Sequence, residues 1–164
     1  MEPRKMRSGG DSRQGLIALA SYLPEDCIGV EVGSYAGEST EIFLSTGKFK
    51  SLTCVDSWPE WTDHAAAEKV FDAKKLPVTK LKEKSVVAAT RFAPHSLDFV
   101  YIDANHSAPH PANDIAAWLP KIKPGGIIAG HDYKLPFEGV INAVDEAFGG
   151  PHVMFADSSW MVRV

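Results

Sequence analysis

The chain of 164 residues is 45% hydrophobic, 10% aromatic and 23% charged, with a formal net charge of −4. That length fits one domain with a hydrophobic core and leaves no room for a second, and no apolar run approaches the roughly 18–20 residues of a membrane span. The acid excess argues against a nucleic-acid partner. The polar start "MEPRKMRSGGDSRQ" lacks the apolar core of a secretory signal, so a cytoplasmic location is expected.

Residues 1–11, with Arg4, Lys5 and Arg7, read as a flexible tail before a domain over 12–164. "SRQGLIALASYLP" places Leu16, Ile17, Leu19, Ala20 and Leu23 on a helical stripe stopped by Pro24. "CIGVEV" is a short β-branched run expected as a buried strand, and "ESTEIFLSTG" a helix closed by Gly47. "SLTCV" predicts a second strand ending at Asp56. A loop with Trp58 and Trp61 then leads into a helix broken by Pro77. "VTKLKEKS" and "VVAATRF" predict a weak third strand and a short helix. "LDFVYID" is a buried strand, and "HSAPHPANDIAAWLPKIK" a helix closed before Pro124. "PGGIIAGHDY" gives a turn and a strand with an acidic end, and "FEGVINAVDEAF" a helix with Val140, Ile141, Val144 and Phe148 on one face. "HVMF" and "WMVRV" predict an antiparallel hairpin. Cys27 and Cys54 fall in predicted strands and read as buried free thiols.

Strands alternating with helices predict a Rossmann-like, doubly wound, seven-stranded and mostly parallel sheet in a three-layer α/β/α sandwich, ending in the antiparallel hairpin. Ligands of such sheets bind beyond the carboxyl ends of the strands. Gly33, Asp56, Ser85, Asp103, His106, His131 and Asp132 all fall just after predicted strands.

The turn "GVEVGSYAGEST" excludes three familiar sites. A dinucleotide turn needs glycines where Tyr35 and Glu38 stand. The single Gly-Lys pair, Gly47-Lys48, ends a helix instead of opening one, so there is no P-loop. Tyr35 occupies the position that a nucleophilic serine takes in a hydrolase elbow. What remains is E-x-G-x-x-x-G followed by a helix start that offers N–H groups to a carboxylate, with Ser39 nearby, and Asp56 placed to accept both hydroxyls of a ribose. S-adenosylmethionine has the ribose and the carboxylate and no phosphate.

The stretches "VEVGSYAGEST", "CVDSW", "LDFVYIDANHS" and "WLPKIKPGGIIAGHDY" resemble the class I S-adenosylmethionine-dependent methyltransferases, within them the small-molecule O-methyltransferases related to the catechol and macrolide-sugar enzymes. The likeness spans about residues 12–164. By position it implies Glu31, Gly33, Ser34, Tyr35 and Gly37 along the methionine part of the cofactor, Ser39 at its carboxylate, Asp56 on the ribose, and Ser57 and Ser85 near the adenine.

It also implies a divalent cation, Mg²⁺ or Mn²⁺, held by Asp103 and Asp132, with His131 the departure from an all-oxygen set. Alternatively, His131 points away and leaves the ion to the two carboxylates and water, or Asp103 and Asp132 bind the cofactor amine and cap local backbone with no ion. His106 is the candidate general base. An unperturbed imidazole pKa near 6.5 suits it to take a proton from a substrate hydroxyl, with Asp103 beside it. Trp58, Trp61, Tyr133 and Phe137 could form an apolar lid at the same edge, while Trp118 and Trp160 complete the core. His64, His95, His110 and His152 are expected at the surface.

The expected activity is methyl transfer to a hydroxyl of a small molecule or sugar, without membrane or nucleic-acid partners. A homodimer could complete the pocket. Methylation of nitrogen or of a macromolecule, cofactor binding without transfer, and a metal-dependent hydrolase built on Asp103, His106, His131 and Asp132 are the alternatives.

Overall fold

The computed structural model describes residues 10–60 and 63–164. The basic residues Arg4, Lys5 and Arg7 and the second loop tryptophan, Trp61, lie outside them. In chain order the elements are α1 (Gly10–Ala20), β1 (Cys27–Val32), α2 (Glu38–Ser45), β2 (Phe49–Asp56), α3 (His64–Ala73), β3 (Thr79–Lys82), α4 (Ser85–Ala89), β4 (Leu97–Ile102), α5 (His110–Trp118), β5 (Ile122–Gly130), α6 (Glu138–Phe148), β6 (Val153–Met154) and β7 (Trp160–Arg163). Helix α1 therefore begins at Gly10, inside the segment expected as tail. Helix α5 ends earlier than its hydrophobic pattern suggested. Pro120, which has no N–H to donate, falls in a 3-10 turn over Leu119–Lys121, and β5 starts at once at Ile122.

The strands form one seven-stranded sheet in the order β3-β2-β1-β4-β5-β7-β6. The first five are parallel, whereas β7 runs antiparallel to both β5 and β6, as the terminal hairpin predicted. Each face is covered, which is why the strands read as nearly continuous apolar runs. Val30, Val32, Val100, Ile102 and Ile128 pack with Ala88, Ile115, Trp118, Val140 and Val144 of α4, α5 and α6. Residues one step along the strands point the other way. Cys27, Cys54, Phe99, Tyr101 and Ala129 pack with Leu16, Leu19, Phe43 and Phe71 of α1, α2 and α3. Both cysteines are free and buried. Among the described residues no helix is long and apolar enough to cross a membrane.

The order reverses between β1 and β4, and the crevice for a ligand opens there. Two backbone bonds lock the strand ends together: Gly33 N–H donates to the Val55 carbonyl and Asp103 N–H to the Val32 carbonyl, each at 2.8 Å. Gly33, at φ +92°, lies so close to the Asp103 carbonyl that any side chain would collide with it. The glycine turn and the acid that ends β4 are thus one rigid unit.

Candidate active site

Glu31 is the hidden support of the glycine turn. It follows the pleat to the α1–α3 face, where it is fully buried. Its carboxylate accepts from Ser34 Oγ at 3.0 Å and from the hydroxyls of Ser39 and Thr40, with Cys54 Sγ at 3.6 Å. Ser34 and Ser39, expected to face the methionine part of a cofactor, turn their side chains inward to this acid. Ser39 keeps only its backbone N–H for a ligand. No side chain caps the start of α2, whose N-cap is Gly37 at φ +79°. The leading N–H groups of α2 make that end a suitable seat for a carboxylate.

Asp56 ends β2 and clamps the turn from the other side. One carboxylate oxygen accepts the Tyr35 N–H at 3.0 Å and the other the Trp58 N–H at 2.8 Å. A carboxylate has about four acceptor positions, so two hydroxyls can still be received. Tyr35, at φ +45°, donates its phenol to Asp63 Oδ2 at 2.8 Å and so ties the turn to the start of α3. Ser57 follows, exposed. Trp58 is no lid: its ring is completely buried against Phe71, 5.2 Å between centroids, and its Nε1 donates to the Tyr35 carbonyl at 2.7 Å. Ser85 opens α4, with its hydroxyl accepting from Trp118 Nε1 at 2.9 Å. His64 is part-exposed as expected, yet it brings Nδ1 to 3.7 Å from Asp56 and packs edge-on against Tyr35, 5.1 Å between ring centres.

Across the switch point, Asp103, His106, His131 and Asp132 converge as their strand-end positions predicted. His106 Nε2 lies 3.3 Å from Asp103 Oδ1 and 3.1 Å from Asp132 Oδ2. His131 Nδ1 lies 3.1 Å from Asp132 Oδ1. Asp103, His131 and Asp132 each offer a ligand atom within 4.8 Å of the others, the spacing of a metal ion's donors. Asp132 adopts φ +59°, a conformation that Asp tolerates and that aims its carboxylate back into the cluster.

The hydrogen bond to Asp103, then that to Asp132, raises the His106 pKa from 6.5 to about 9 despite partial burial. This departs from the neutral imidazole expected of the sequence. Burial alone would raise the Asp132 pKa, but the bonds from His106 and His131 outweigh it and hold the carboxyl well below the usual range.

Beside His106 opens a cavity of about 520 Å³, lined by Asn105, His106, Ser107, Phe137, Glu138 and Asn142 among others. Phe137 packs on the His106 ring at 4.9 Å. The start of α6 presses on the 106–108 backbone at Gly139, where an added Cβ would come within 2.8 Å of Ala108 N. Tyr133 is only partly at this edge, with its hydroxyl donating to Asp145 at 2.6 Å.

A family model described as "Methyltransferase domain" matches residues 30–133, well over half of the chain. The chain belongs to this methyltransferase domain family. Among solved structures, this methyltransferase domain is similar to a Corynebacterium glutamicum protein at 17% identity, covering 99% of this chain and 82% of that one, with a TM-score of 0.67. A SAM-dependent O-methyltransferase from Thermotoga maritima matches at 15% identity over 87% of this chain and 52% of that one, with a TM-score of 0.62. A spermidine synthase from the same organism matches at 12% identity, with coverage of 92% and 57% and a TM-score of 0.66. No match was found among curated proteins. Identities this low show the methyltransferase fold alone, and one fold carries several activities.

The methyltransferase match includes the glycine turn, Asp56, Asp103, His106, His131 and Asp132, and stops short of α6 and the terminal hairpin. Two groups at the site escaped the sequence reading: the polar cavity residues Glu138 and Asn142, and Asp157, a buried acid of the β6–β7 turn that stands 3.7 Å from His131 Nε2.

Proposed function

We propose that the chain is an S-adenosylmethionine-dependent O-methyltransferase that acts on a hydroxyl of a small molecule or sugar with the help of a divalent cation. The observation that carries this reading is the shared position of Asp103. Its backbone abuts Gly33 of the glycine turn, and its side chain meets His106 at the mouth of the cavity. Donor half and acceptor half therefore meet at one residue.

The uncapped start of α2, the Tyr35–Gly37 backbone and Asp56 would hold the cofactor, with Ser57 and Ser85 toward its adenine. Bound there, it supplies an electrophilic methyl group on a sulfonium. Asp103, Asp132 and His131 would hold the cation, which supplies Lewis-acid polarisation of an acceptor hydroxyl. The chain's own task is alignment, worth a large share of the barrier when reacting groups are held in line. Asn105, Ser107, Glu138 and Asn142 orient a polar acceptor in the cavity, and Phe137 offers it an apolar wall.

His106 holds its proton between two carboxylates. A cation held by Asp103 and Asp132 would compete with the ring for those carboxylates and would leave Nε2 freer to take up a proton. The ring, already lining the cavity, then serves as the base that receives the hydroxyl proton.

Calorimetric titration with S-adenosylhomocysteine tests the donor half. Methyl transfer to a panel of hydroxyl compounds, with and without chelator, tests the rest. Saturable binding is expected, with turnover that chelator abolishes and His106→Ala lowers by about 10²–10⁴-fold. Binding without turnover on any hydroxyl, or turnover indifferent to His106→Ala, overturns the O-methylation reading.

A further inference from the structure

His131 is the donor that an all-oxygen cation site would not contain, and its orientation has a cause in the fold. It follows β5, whose last residue, Gly130, pairs with Trp160 of β7. That antiparallel register brings the turn before β7 alongside His131. Nδ1 faces Asp132 in the cluster at 3.1 Å, while Nε2 faces away, fully buried and without a hydrogen bond. Beyond Nε2, at 3.7 Å, stands Asp157 Oδ2, whose side chain is 1% exposed. The backbone N–H and hydroxyl of Ser159 fix this carboxylate at 3.1 and 2.9 Å, and Ser159 Oγ in turn meets Tyr101 Oη at 3.2 Å. Helix α1 leaves room for it only because residue 15 is glycine, since a Cβ there would collide with the Asp157 carboxylate.

A carboxylate facing one ring nitrogen holds the proton on that nitrogen and leaves the lone pair on the other. His131 lies between two carboxylates, Asp132 at 3.1 Å from Nδ1 and Asp157 at 3.7 Å from Nε2; Nδ1 can serve a cation only with its lone pair free, and the ring proton then sits on Nε2, facing Asp157. An imidazole donor between two carboxylates suits Mn²⁺, Co²⁺ or Zn²⁺ better than Mg²⁺, which prefers oxygen throughout.

We infer that Asp157 is a positioning residue that fixes the ring of His131, and that the pair makes the Asp103–His131–Asp132 cluster select imidazole-accepting divalent ions over Mg²⁺. This rests on the metal-assisted reading of the site and extends it to a residue of the terminal hairpin, outside the family match.

Calorimetric titration of the full chain with Co²⁺ and with Mg²⁺ tests selectivity; Co²⁺ is expected to bind at least about tenfold tighter. Asp157→Asn keeps the shape and removes the charge, and should weaken Co²⁺ binding by about 10–100-fold. Long-range ¹H–¹⁵N spectra of the Zn²⁺-loaded wild type need no variant and should show the metal on Nδ1 and an exchangeable proton on Nε2 of His131.

The inference is overturned if Mg²⁺ binds as tightly as Co²⁺, if Nε2 carries the metal, or if Asp157→Asn binds Co²⁺ like wild type. Any of these leaves metal-assisted transfer standing. Absence of binding by every ion, with S-adenosylhomocysteine still bound, removes the metal reading and this inference together.

Discussion

The imidazole of His106 bridges Asp103 and Asp132, and its Nε2 is 3.1 Å from Asp132 Oδ2. The bridge fixes how stability depends on pH. The folded pKa, about 9, lies above the unfolded value of 6.5, so the stabilisation is complete below about pH 6.5 and is lost as pH rises through 9. At about 1.4 kcal/mol per pH unit it amounts to a few kcal/mol. Without metal, wild type should exceed His106→Gln in Tm at pH 6, and the gap should close by pH 9.5. A gap constant across that range would show that the bridge carries no charge.

Glu31 predicts a second effect. Its carboxylate gathers hydroxyls from Ser34, Ser39 and Thr40 in a space closed to water. Glu31→Leu leaves those hydroxyls without their acceptor, at a cost of about 3 kcal/mol or more. Urea unfolding should show the loss, and calorimetry should show weaker S-adenosylhomocysteine binding because the turn is no longer held. Stability within about 0.5 kcal/mol of wild type would mean that the turn does not depend on this acid.

Two glycines separate backbone strain from lack of space. Both Gly33, at φ +92°, and Gly47, at φ +69°, adopt a backbone that L residues resist. Around Gly47 an added Cβ meets nothing, whereas at Gly33 it meets the Asp103 carbonyl. Gly47→Ala should therefore cost about 1–2 kcal/mol and leave ligand binding intact. Gly33→Ala should cost about 4 kcal/mol or more, or prevent folding, since β1 and β4 must part. Equal costs in chemical denaturation would count against the locked strand ends.

The thiols give a prediction for intact protein. Burial pushes Cys27 up to about 12, helped by Asp98, and burial followed by Glu31 pushes Cys54 higher still. Thiolate is the reactive form, so at pH 8 neither should react with a disulfide reagent in native buffer, and both should react in denaturant. A fast native reaction at either cysteine would show that its strand opens readily.

Most elements were legible because hydrophobic runs and their breakers lie close together in the chain. "CIGVEV" and "LDFVYI" are short, β-branched or aromatic, and bounded by turn residues, and both became central strands. The convergence of Asp103, His106, His131 and Asp132 was legible because parallel strands place their ends on one edge. What escaped depends on packing between distant segments. Trp58 stands in a loop beside Pro59, and nothing nearby in the sequence tells that Phe71 and Lys80 enclose its ring. Asp157 looks like an ordinary turn residue until the pairing of Gly130 with Trp160 brings its turn to His131. The burial of Glu31 could have been read: it lies between Val30 and Val32 in a strand covered on both faces, so its carboxylate requires partners, and the hydroxyls lie just downstream.

The backbone lock between Gly33 and Asp103 divides this edge into parts of different mutability. The glycine turn is welded to the sheet's middle, whereas the cavity is lined by Asn105, Ser107, Phe137, Glu138 and Asn142, side chains outside that lock. Under the proposed O-methyl transfer, exchanges of those side chains would redraw acceptor preference while the glycine turn keeps its shape, which makes them the places to graft when a different alcohol is wanted.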